Sequence, residues 1–391
     1  MTITDQPTET TTRPPVASNR ETELVAWAAG LGGVLAENAA RHDTEGSWVG
    51  ESFEHLRRNG VLALAVPTEL GGMGATIREV AQVMRELAHH CASTALAMSM
   101  HQHTTSFLAW RYRQGLPGAD QVLRAIAADS IVLVSTGGAD FTRPRGEAIR
   151  VEGGFRVSGR KIFASQSVAG TMMSALFPYD DPEHGRRVLS VSIPFADPGV
   201  TIHDNWDTLG MRGTASNDVT VNAAFVPDER VGANRPYGVI DPPLQLIGSI
   251  GVSVISAVYL GVAESAATAA IEAAKAKAQD PLIQRTVGLM ANRLRVAAWT
   301  LDGALSVVGD DPEPSMDTFA AVLAAKREIA LTGVEVCDMA MEIAGGAAYF
   351  KGSRIERAYR DIRAAKFHPL TPERTLLHAG RLAIELPCDD F

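Results

Sequence analysis

The stretch that decides the fold is AGGAAYFKGSRIERAYRD, which runs from Ala344 to Asp361. Its glycine pair, Gly345-Gly346, ends a long apolar helical pattern, because glycine readily adopts the left-handed conformation that closes helices. Beyond the pair, arginines recur at every third position with acidic residues between them. They are Arg354, Arg357, Arg360 and Arg363. This mixture of charges favours an ion-pair network over a phosphate site.

Upstream of this stretch the pattern of apolar residues changes twice. Helical periodicity extends from Glu21 to Ala128, and Thr76 with Glu79 forms a capping box. Short β-rich runs follow, with Gly153-Gly154 marking a hairpin, and helices return after Pro243. The predicted fold class is α+β and mostly helical, with a central antiparallel β domain. The predicted parts are a disordered tail (1–20), an N-terminal helical domain (21–128), the β domain (129–236) and a C-terminal four-helix bundle (237–391).

Composition excludes several classes of function. The net charge of -9 disfavours nucleic acid as a partner. Three scattered cysteines, Cys91, Cys337 and Cys388, favour a reducing cytoplasm over a disulfide or zinc scaffold. The charge-free run from Leu244 to Ala263 has the length of a membrane span, but its serines and its amphipathic continuation favour a core helix. We therefore expect a metal-free cytoplasmic protein without membrane contact.

Four motifs resemble those of the acyl-CoA dehydrogenase superfamily. They are VPTELGGMGA (Val66–Ala75), VSGRKIFAS (Val157–Ser165), WDTLGMRGTASNDV (Trp206–Val219) and the stretch quoted above. Together they cover most of the chain and follow the family's order of helices, β domain and helix bundle. The resemblance implies a flavin cofactor and a homotetramer.

The resemblance also shows what is missing. The family's glutamate that removes the α-proton of an acyl-CoA would stand at Gly352, six residues after the glycine pair. Some members carry this base on an upstream helix, at the place of Gly251 and Val252 in this chain. None of these residues can abstract a proton. The scaffold of a flavin enzyme is therefore combined with the loss of the dehydrogenase base.

Further departures concern the cofactor. The segment KAKAQDPLIQ (275–284) lacks the Arg-x-x-Phe-Gly element that holds FAD in the dehydrogenases, and Glu342 replaces a glutamine beside the pyrophosphate. A carboxylate beside phosphates is unfavourable, so reduced FMN is favoured and FAD stays possible. These features are similar to the two-component flavin monooxygenases of this superfamily that act on p-hydroxyphenylacetate and dibenzothiophene. Such enzymes take reduced flavin from a separate flavin reductase and react it with O2.

The resemblance suggests five flavin-contacting residues. Ser165 would bond flavin N5 and also counts as catalytic, and Phe163 would pack on the ring. The alternatives are an ordinary strand hydroxyl and a plain core aromatic. Ser135 and Thr136 would approach the pyrimidine edge, and Thr371 takes the place of a threonine that touches flavin in the dehydrogenases.

Histidines are the acid/base candidates. His368 stands where the monooxygenases carry a histidine, and an imidazole of near-neutral pKa suits proton transfer. Its alternative role is to cap a helix before Pro369. His101 and His103 lie two apart on an apolar helix, so they point in different directions, and register favours His103 as catalytic.

We therefore predict a cytoplasmic, homotetrameric flavin-dependent oxidoreductase, a monooxygenase acting on a small organic substrate. One alternative is an acyl-CoA dehydrogenase that uses FAD and a non-standard base. The other alternative is an inactive family member that serves as a binding subunit.

Overall fold

The computed structural model describes residues 19–136, 138 and 140–388. Within these residues the chain forms five helices, then eight strands, then five more helices. The first helices are α1 (Asn19–Glu45), α2 (Gly50–Arg58), α3 (Ile77–His90), α4 (Ala92–Arg113) and α5 (Ala119–Asp129). The strands are β1 (Leu133–Ser135), β2 (Glu147–Val151), β3 (Gly154–Ala164), β4 (Met172–Asp181), β5 (Gly185–Pro194), β6 (Val200–Ile202), β7 (Asn217–Pro227) and β8 (Val231–Pro236). The last helices are α6 (Pro242–Ala274), α7 (Pro281–Val308), α8 (Met316–Ala344), α9 (Arg354–Asp361) and α10 (Pro372–Ala383).

The N-terminal helices place α4 at the centre of the molecule. The predicted capping box of Thr76 and Glu79 opens α3, with both hydrogen bonds formed. Helix α4 packs against α3, α5, α6 and β1, and these neighbours bury most of its length. An apolar helix without a polar face needs such an enclosed position. The two histidines of α4 are consequently buried.

The strands form two four-stranded sheets, in the orders β1-β4-β5-β8 and β2-β3-β7-β6. Strands β2 and β3 meet at the predicted hairpin, where Gly153 has a φ of +75°. The described pairs are antiparallel except for β1 with β4, which is parallel. The chain passes through the second sheet between these two strands, so a crossover connects them.

Helices α6, α7 and α8 pack on one another, and α10 covers α8. Asp280 and Pro281 open α7 as predicted, and Gly345 ends α8 with a φ of +68°. Helix α6 is long and apolar enough to cross a membrane, yet 94% of its most apolar window is buried inside the protein. It is the central helix of the bundle.

The predicted fold class is confirmed by this arrangement. The domain boundaries stay a prediction. Residues 1–18 of the expected tail lie outside the described residues, whereas Asn19 and Arg20 belong to α1.

Candidate active site

A cavity of about 630 Å³ lies where the helices and the first sheet meet. Its wall combines residues of α4, α6, α8, the first sheet and the segment that follows α9. Every predicted domain thus contributes to one cavity, which a single stretch of sequence cannot reveal.

The sheet side of the wall carries small hydroxyl groups. Ser135 pairs in register with Ser174, and Leu176 pairs with Ser190. Ser174 and Leu176 both face the cavity because side chains two apart on a strand share one face. This side therefore offers hydrogen bonds to a flat ligand.

The helix side of the wall is apolar. One face of α6 supplies it at helical spacing, through Leu244, Ile247, Gly248, Gly251, Val252 and Ile255. A Cβ at Gly248 would lie 2.6 Å from the ring of Phe319, so close packing of α8 requires glycine there. A Cβ at Gly251 would lie 3.4 Å from the ring of His103. The absent upstream base would therefore have stood beside this histidine.

His103 faces the cavity with a free nitrogen. Its Nδ1 lies 3.1 Å from the carbonyl oxygen of Ser99 and must donate to it, since a carbonyl only accepts. The neutral ring consequently keeps a lone pair on Nε2. Burial lowers the pKa of His103 to about 4, so the ring is neutral at physiological pH. His103 is thus a hydrogen-bond acceptor towards the cavity.

His101 serves the fold instead. The backbone N–H of Leu133 donates to its Nδ1 at 3.0 Å, and its Nε2 donates to the carbonyl of Leu62 at 2.9 Å. It ties α4 to β1 and does not line the cavity. Of the two candidates, the structure therefore places His103 at the site.

His368 also lines the cavity and has the reverse polarity. Its Nε2 lies 2.8 Å from the hydroxyl of Tyr259, a fully buried residue of α6. Within the described part of the chain this nitrogen is the hydroxyl's single acceptor, so Tyr259 donates and Nε2 accepts. The proton of the neutral ring then lies on Nδ1. Burial raises the pKa of Tyr259 well above its ordinary value, which keeps the hydroxyl protonated.

The expected near-neutral pKa of His368 is wrong. Burial, with the charge of Lys326 and the nearby His103, lowers its pKa to about 3. The ring is therefore not an imidazolium acid at neutral pH. It acts as a neutral donor, held by Tyr259.

Ser165 and Phe163 lie together at the edge of the cavity. A register shift between β3 and β7 falls at this point, and Phe163 adopts a φ of +59°, which is strained for a side-chain-bearing residue. Its ring is 55% exposed and meets Trp206 edge-on at 6.1 Å. The buried Ser165 hydroxyl lies 2.8 Å from that of Ser216. The irregular strand thus presents an aromatic face next to a hydroxyl.

Two predicted cofactor residues are not brought to the wall. Thr136 is buried and donates its hydroxyl to the carbonyl of Ser174 at 3.2 Å. Thr371 precedes α10, where its carbonyl accepts from Thr375. Ser135 does line the cavity. The flavin contacts of Thr136 and Thr371 stay predictions.

The charges of the wall are all positive. Of the residues that the structure describes, no aspartate or glutamate lines the cavity, whereas Arg235, Lys326, Arg360 and Arg363 do. Gly352 is exposed, has a φ of +88° and lies outside the wall. The predicted loss of the dehydrogenase base therefore extends to the whole described cavity.

Lys326 and Tyr259 were missed by sequence reasoning. Lys326 lies beside Val322 and Ile329 on the buried face of α8, and a lysine in an apolar stripe is a signal that could have been noticed. Tyr259 gave no such signal, because its partner His368 lies 109 residues further along.

The residues present fit a flavin mononucleotide. The mouth of the cavity exposes apolar side chains on which a planar ring can pack, namely Phe163, Leu209 and Phe367. Arg363 stands at the same cavity, uses one N–H group on Asp338 and can bind a phosphate group with the others. Ser165 offers a hydroxyl next to the aromatic face.

Comparisons with known proteins agree with this scaffold. Family models for the N-terminal and C-terminal domains of acyl-CoA dehydrogenases match residues 31–112 and 253–373. An amino sugar nitrososynthase of Streptomyces rubradiris is 30% identical over 85% of this chain and 82% of its own length. A probable FMNH2-dependent monooxygenase of Pseudomonas putida is 26% identical over 93% of both chains. The structure of KijD3 with FMN and a dTDP-linked amino sugar superimposes with a TM-score of 0.87, at 25% identity and 96% coverage of both chains.

The fold and the cavity define a flavin-enzyme scaffold whose wall, as far as the structure describes it, has no carboxylate base for proton abstraction. The chain belongs to the acyl-CoA dehydrogenase family. The predicted resemblance to this superfamily and to its flavin monooxygenases is confirmed by these matches, and so is the assignment to flavin-dependent oxidoreductases.

Proposed function

We propose that this protein is a two-component monooxygenase that uses reduced FMN and O2 to oxygenate a small organic substrate. The observation that carries the proposal is a cavity with His103 and His368 on its wall and no aspartate or glutamate among its described lining residues. An acyl-CoA dehydrogenase needs a carboxylate there to remove an α-proton. An oxygenase needs a water-poor pocket with hydrogen-bonding groups, which this wall supplies.

The bound reduced flavin would supply the electrons and the position at which oxygen is activated. Around it, Phe163 would pack on the ring, the Ser165 hydroxyl would accept a hydrogen bond from N5–H of the reduced ring, and Ser135 would contact the ring edge. Arg363 would hold the phosphate. The largely apolar α6 face would keep bulk water out.

The two histidines would make different hydrogen bonds to the substrate. His103 offers the lone pair of Nε2 and can accept a proton or hydrogen bond from a substrate O–H or N–H group. His368 offers Nδ1–H and can donate to an oxygen atom. We therefore infer a substrate that carries a hydroxyl or amino group on an apolar body. Relatives named as nitrososynthases and as an isobutylamine N-hydroxylase of Streptomyces viridifaciens support an amine.

The test compares His103→Ala and His368→Ala with His184→Ala, which removes an exposed imidazole. Reduced FMN from an added flavin reductase is supplied with a panel of phenols and amines. Loss of a general base lowers turnover roughly 10²- to 10⁴-fold, and loss of a positioned hydrogen-bond donor lowers it roughly 10²- to 10³-fold, so both cavity variants should form at least ~100-fold less product. Hydrogen peroxide should be released in its place, and FMN binding should change less than about twofold. Unchanged product formation in both variants would refute the assignment.

An anaerobic experiment separates the alternatives. A dehydrogenase should bleach bound oxidised flavin when an acyl-CoA is added, and an inactive binding subunit should bind no flavin. The proposed oxygenase should bind reduced FMN and leave oxidised flavin unbleached by acyl-CoA.

We further propose a cytoplasmic homotetramer that works with a separate flavin reductase. Helix α7 exposes an apolar stripe at seven-residue spacing, formed by Leu282, Leu289 and Val296, with Trp299 beside it. Such a stripe on a soluble helix is typical of a subunit interface. Three buried cysteines, which form no disulfide within the described residues, fit a reducing compartment. Light scattering should give the mass of four chains, and Trp299→Glu should lower it.

A further inference from the structure

Lys326 is a buried cation whose charge has no counterpart in the described chain. It lies on α8, is 2% exposed and lines the cavity. Its ammonium group donates to the carbonyl oxygens of His368 at 2.7 Å and Leu370 at 2.8 Å. Both carbonyl groups are neutral, so they hydrogen-bond the ammonium group but do not neutralise its charge.

The other cations of the wall differ in this respect. Arg360 pairs with Asp43 and Glu356, and Arg363 pairs with Asp338 at 2.8 Å. Arg235 has Asp241 at 3.8 Å. These pairs place a carboxylate next to each arginine, whereas no salt bridge is formed by Lys326 among residues 19–136, 138 and 140–388.

An unpaired buried ammonium is unfavourable. Burial lowers the pKa of Lys326 to about 8, the direction expected when desolvation is not offset by a carboxylate. A glutamine could bind the same two carbonyls without a charge, so clamping the loop after α9 does not by itself explain a lysine. The ammonium has a third N–H beyond the two that the carbonyls occupy, and the cavity is the space available to it.

We propose that Lys326 is the countercharge for a planar, delocalised anion bound in the cavity beside His368. The proposal rests on the proposed function, which supplies two anions of this chemistry. One is the ring of reduced flavin, which ionises at N1 while oxidised flavin stays neutral. The other is an ionised phenol-type substrate. A lysine ammonium bound to either would gain the charge-assisted hydrogen bond that the described chain does not provide.

The experiment compares wild type with Lys326→Gln, which keeps two donors for the carbonyls and removes the charge. The control is Lys277→Gln, since Lys277 also donates to a carbonyl, that of Ile343 at 3.3 Å, but does not line the cavity. Dissociation constants are measured anaerobically for oxidised FMN, for reduced FMN and for 4-nitrophenolate. Truncating one partner of a buried charge pair weakens binding about tenfold or more.

The outcomes identify the source of the anion. Binding of reduced FMN that weakens about tenfold, while oxidised FMN changes less than about twofold, assigns the anion to the flavin ring. Weaker binding of 4-nitrophenolate, with the preference between the two flavin states kept, assigns it to the substrate. Constants within about twofold of wild type for all three ligands overturn the proposal and leave Lys326 as a loop clamp.

Two further measurements keep the test decisive. If Lys326→Gln does not fold, the spectrum of 4-nitrophenol bound to wild type is recorded below the pKa of the free phenol. The phenolate band should appear on binding, and its absence, together with equal affinity of wild type for both flavin states, refutes the countercharge. If wild type binds neither flavin state, the proposed function fails, while the 4-nitrophenol measurement still tests Lys326.

Discussion

Two charged regions meet at Arg360 and differ in whether carboxylates accompany their cations. Outside the cavity, its guanidinium bonds Asp43 of α1 at 2.9 Å and Glu356 of its own helix at 2.9 Å. Inside the cavity, the wall has cations and imidazoles but no described acid. In the first region, the positive charge of Arg360 is paired with carboxylates of the same chain. In the second region, negative charge would come from a bound anion.

The contrast shows where the acids have been placed. The chain has 45 acidic and 36 basic residues, so an acid-free wall does not follow from composition. Acids serve instead as ion-pair partners between elements, as Glu264 of α6 does for Arg85 and His89 of α3. Exclusion of carboxylates from the cavity suits oxygen chemistry and removes the means of α-proton abstraction.

The largest effect is expected from acid, because three buried imidazoles stay neutral in the folded protein at a pH that protonates them in the unfolded chain. Folded His101 and His103 have a pKa of about 4 and His368 of about 3, against an ordinary 6.5. Between these values the unfolded chain binds more protons, so stability is complete above pH 6.5 and falls as the pH drops. Each histidine contributes roughly 1.4 kcal/mol per pH unit. Urea unfolding at a series of pH values measures the slope.

Asp361 acts in the opposite direction, because burial raises its pKa to about 6 and its protonation favours the fold below that pH. Replacing one of these buried imidazoles, as in His101→Gln, should lower the slope by about one histidine's share. A pH-independent free energy of unfolding from pH 6.5 to 5 would contradict the neutral, buried state of these rings.

The second prediction concerns the ion pairs of Arg360 with Asp43 and Glu356. Arg360→Met leaves Asp43 and Glu356 without their shared cation, and removing one partner of a largely buried pair costs about 3 kcal/mol. The matched control is Arg58→Met, whose partner Glu54 is exposed, with an expected loss below about 0.5 kcal/mol. Both free energies come from urea unfolding. Equal losses would show that the Arg360 network contributes no more than a surface pair.

The third prediction introduces a carboxylate into the cavity wall. Gly251→Glu would place a carboxylate beside His103, where a Cβ has ordinary contact distance. The added charge should raise the pKa of His103 and weaken binding of anionic reduced FMN about tenfold. Gly251→Gln has the same size without the charge. Equal affinities of these two variants for reduced FMN would mean that the charge of the wall does not govern binding.

The smallest effect restores the glutamate of the dehydrogenases at its expected position. Gly352→Glu should cost about 1 kcal/mol, because a side chain is strained at a φ of +88° although nothing lies within 4 Å. It should not yield bleaching by an acyl-CoA, since position 352 lies outside the cavity wall. Gly352→Asn, which tolerates this conformation better, should lose less. Acyl-CoA-dependent bleaching by Gly352→Glu would show that position 352 reaches the flavin after all.

Much of the fold could be predicted because its signals are local. The capping box of α3, the hairpin at Gly153 and the Asp280-Pro281 start of α7 each depend on residues a few positions apart. The turn that points His103 and His101 to different surroundings follows from helical geometry. The near-neutral pKa of His368 could not be judged, because burial and the charge of Lys326 come from other elements.

The sequence by itself determined the family, the order of helices and sheets, and the loss of the glutamate at Gly352, because motifs and periodicity need only neighbouring residues. Tertiary structure alone decided that the described wall contains no other acid, that Tyr259 fixes the proton of His368, and that Lys326 is left without a carboxylate. Hydrogen bonds and charges act through space, and the partners in this cavity lie from 42 to 109 residues apart in the chain.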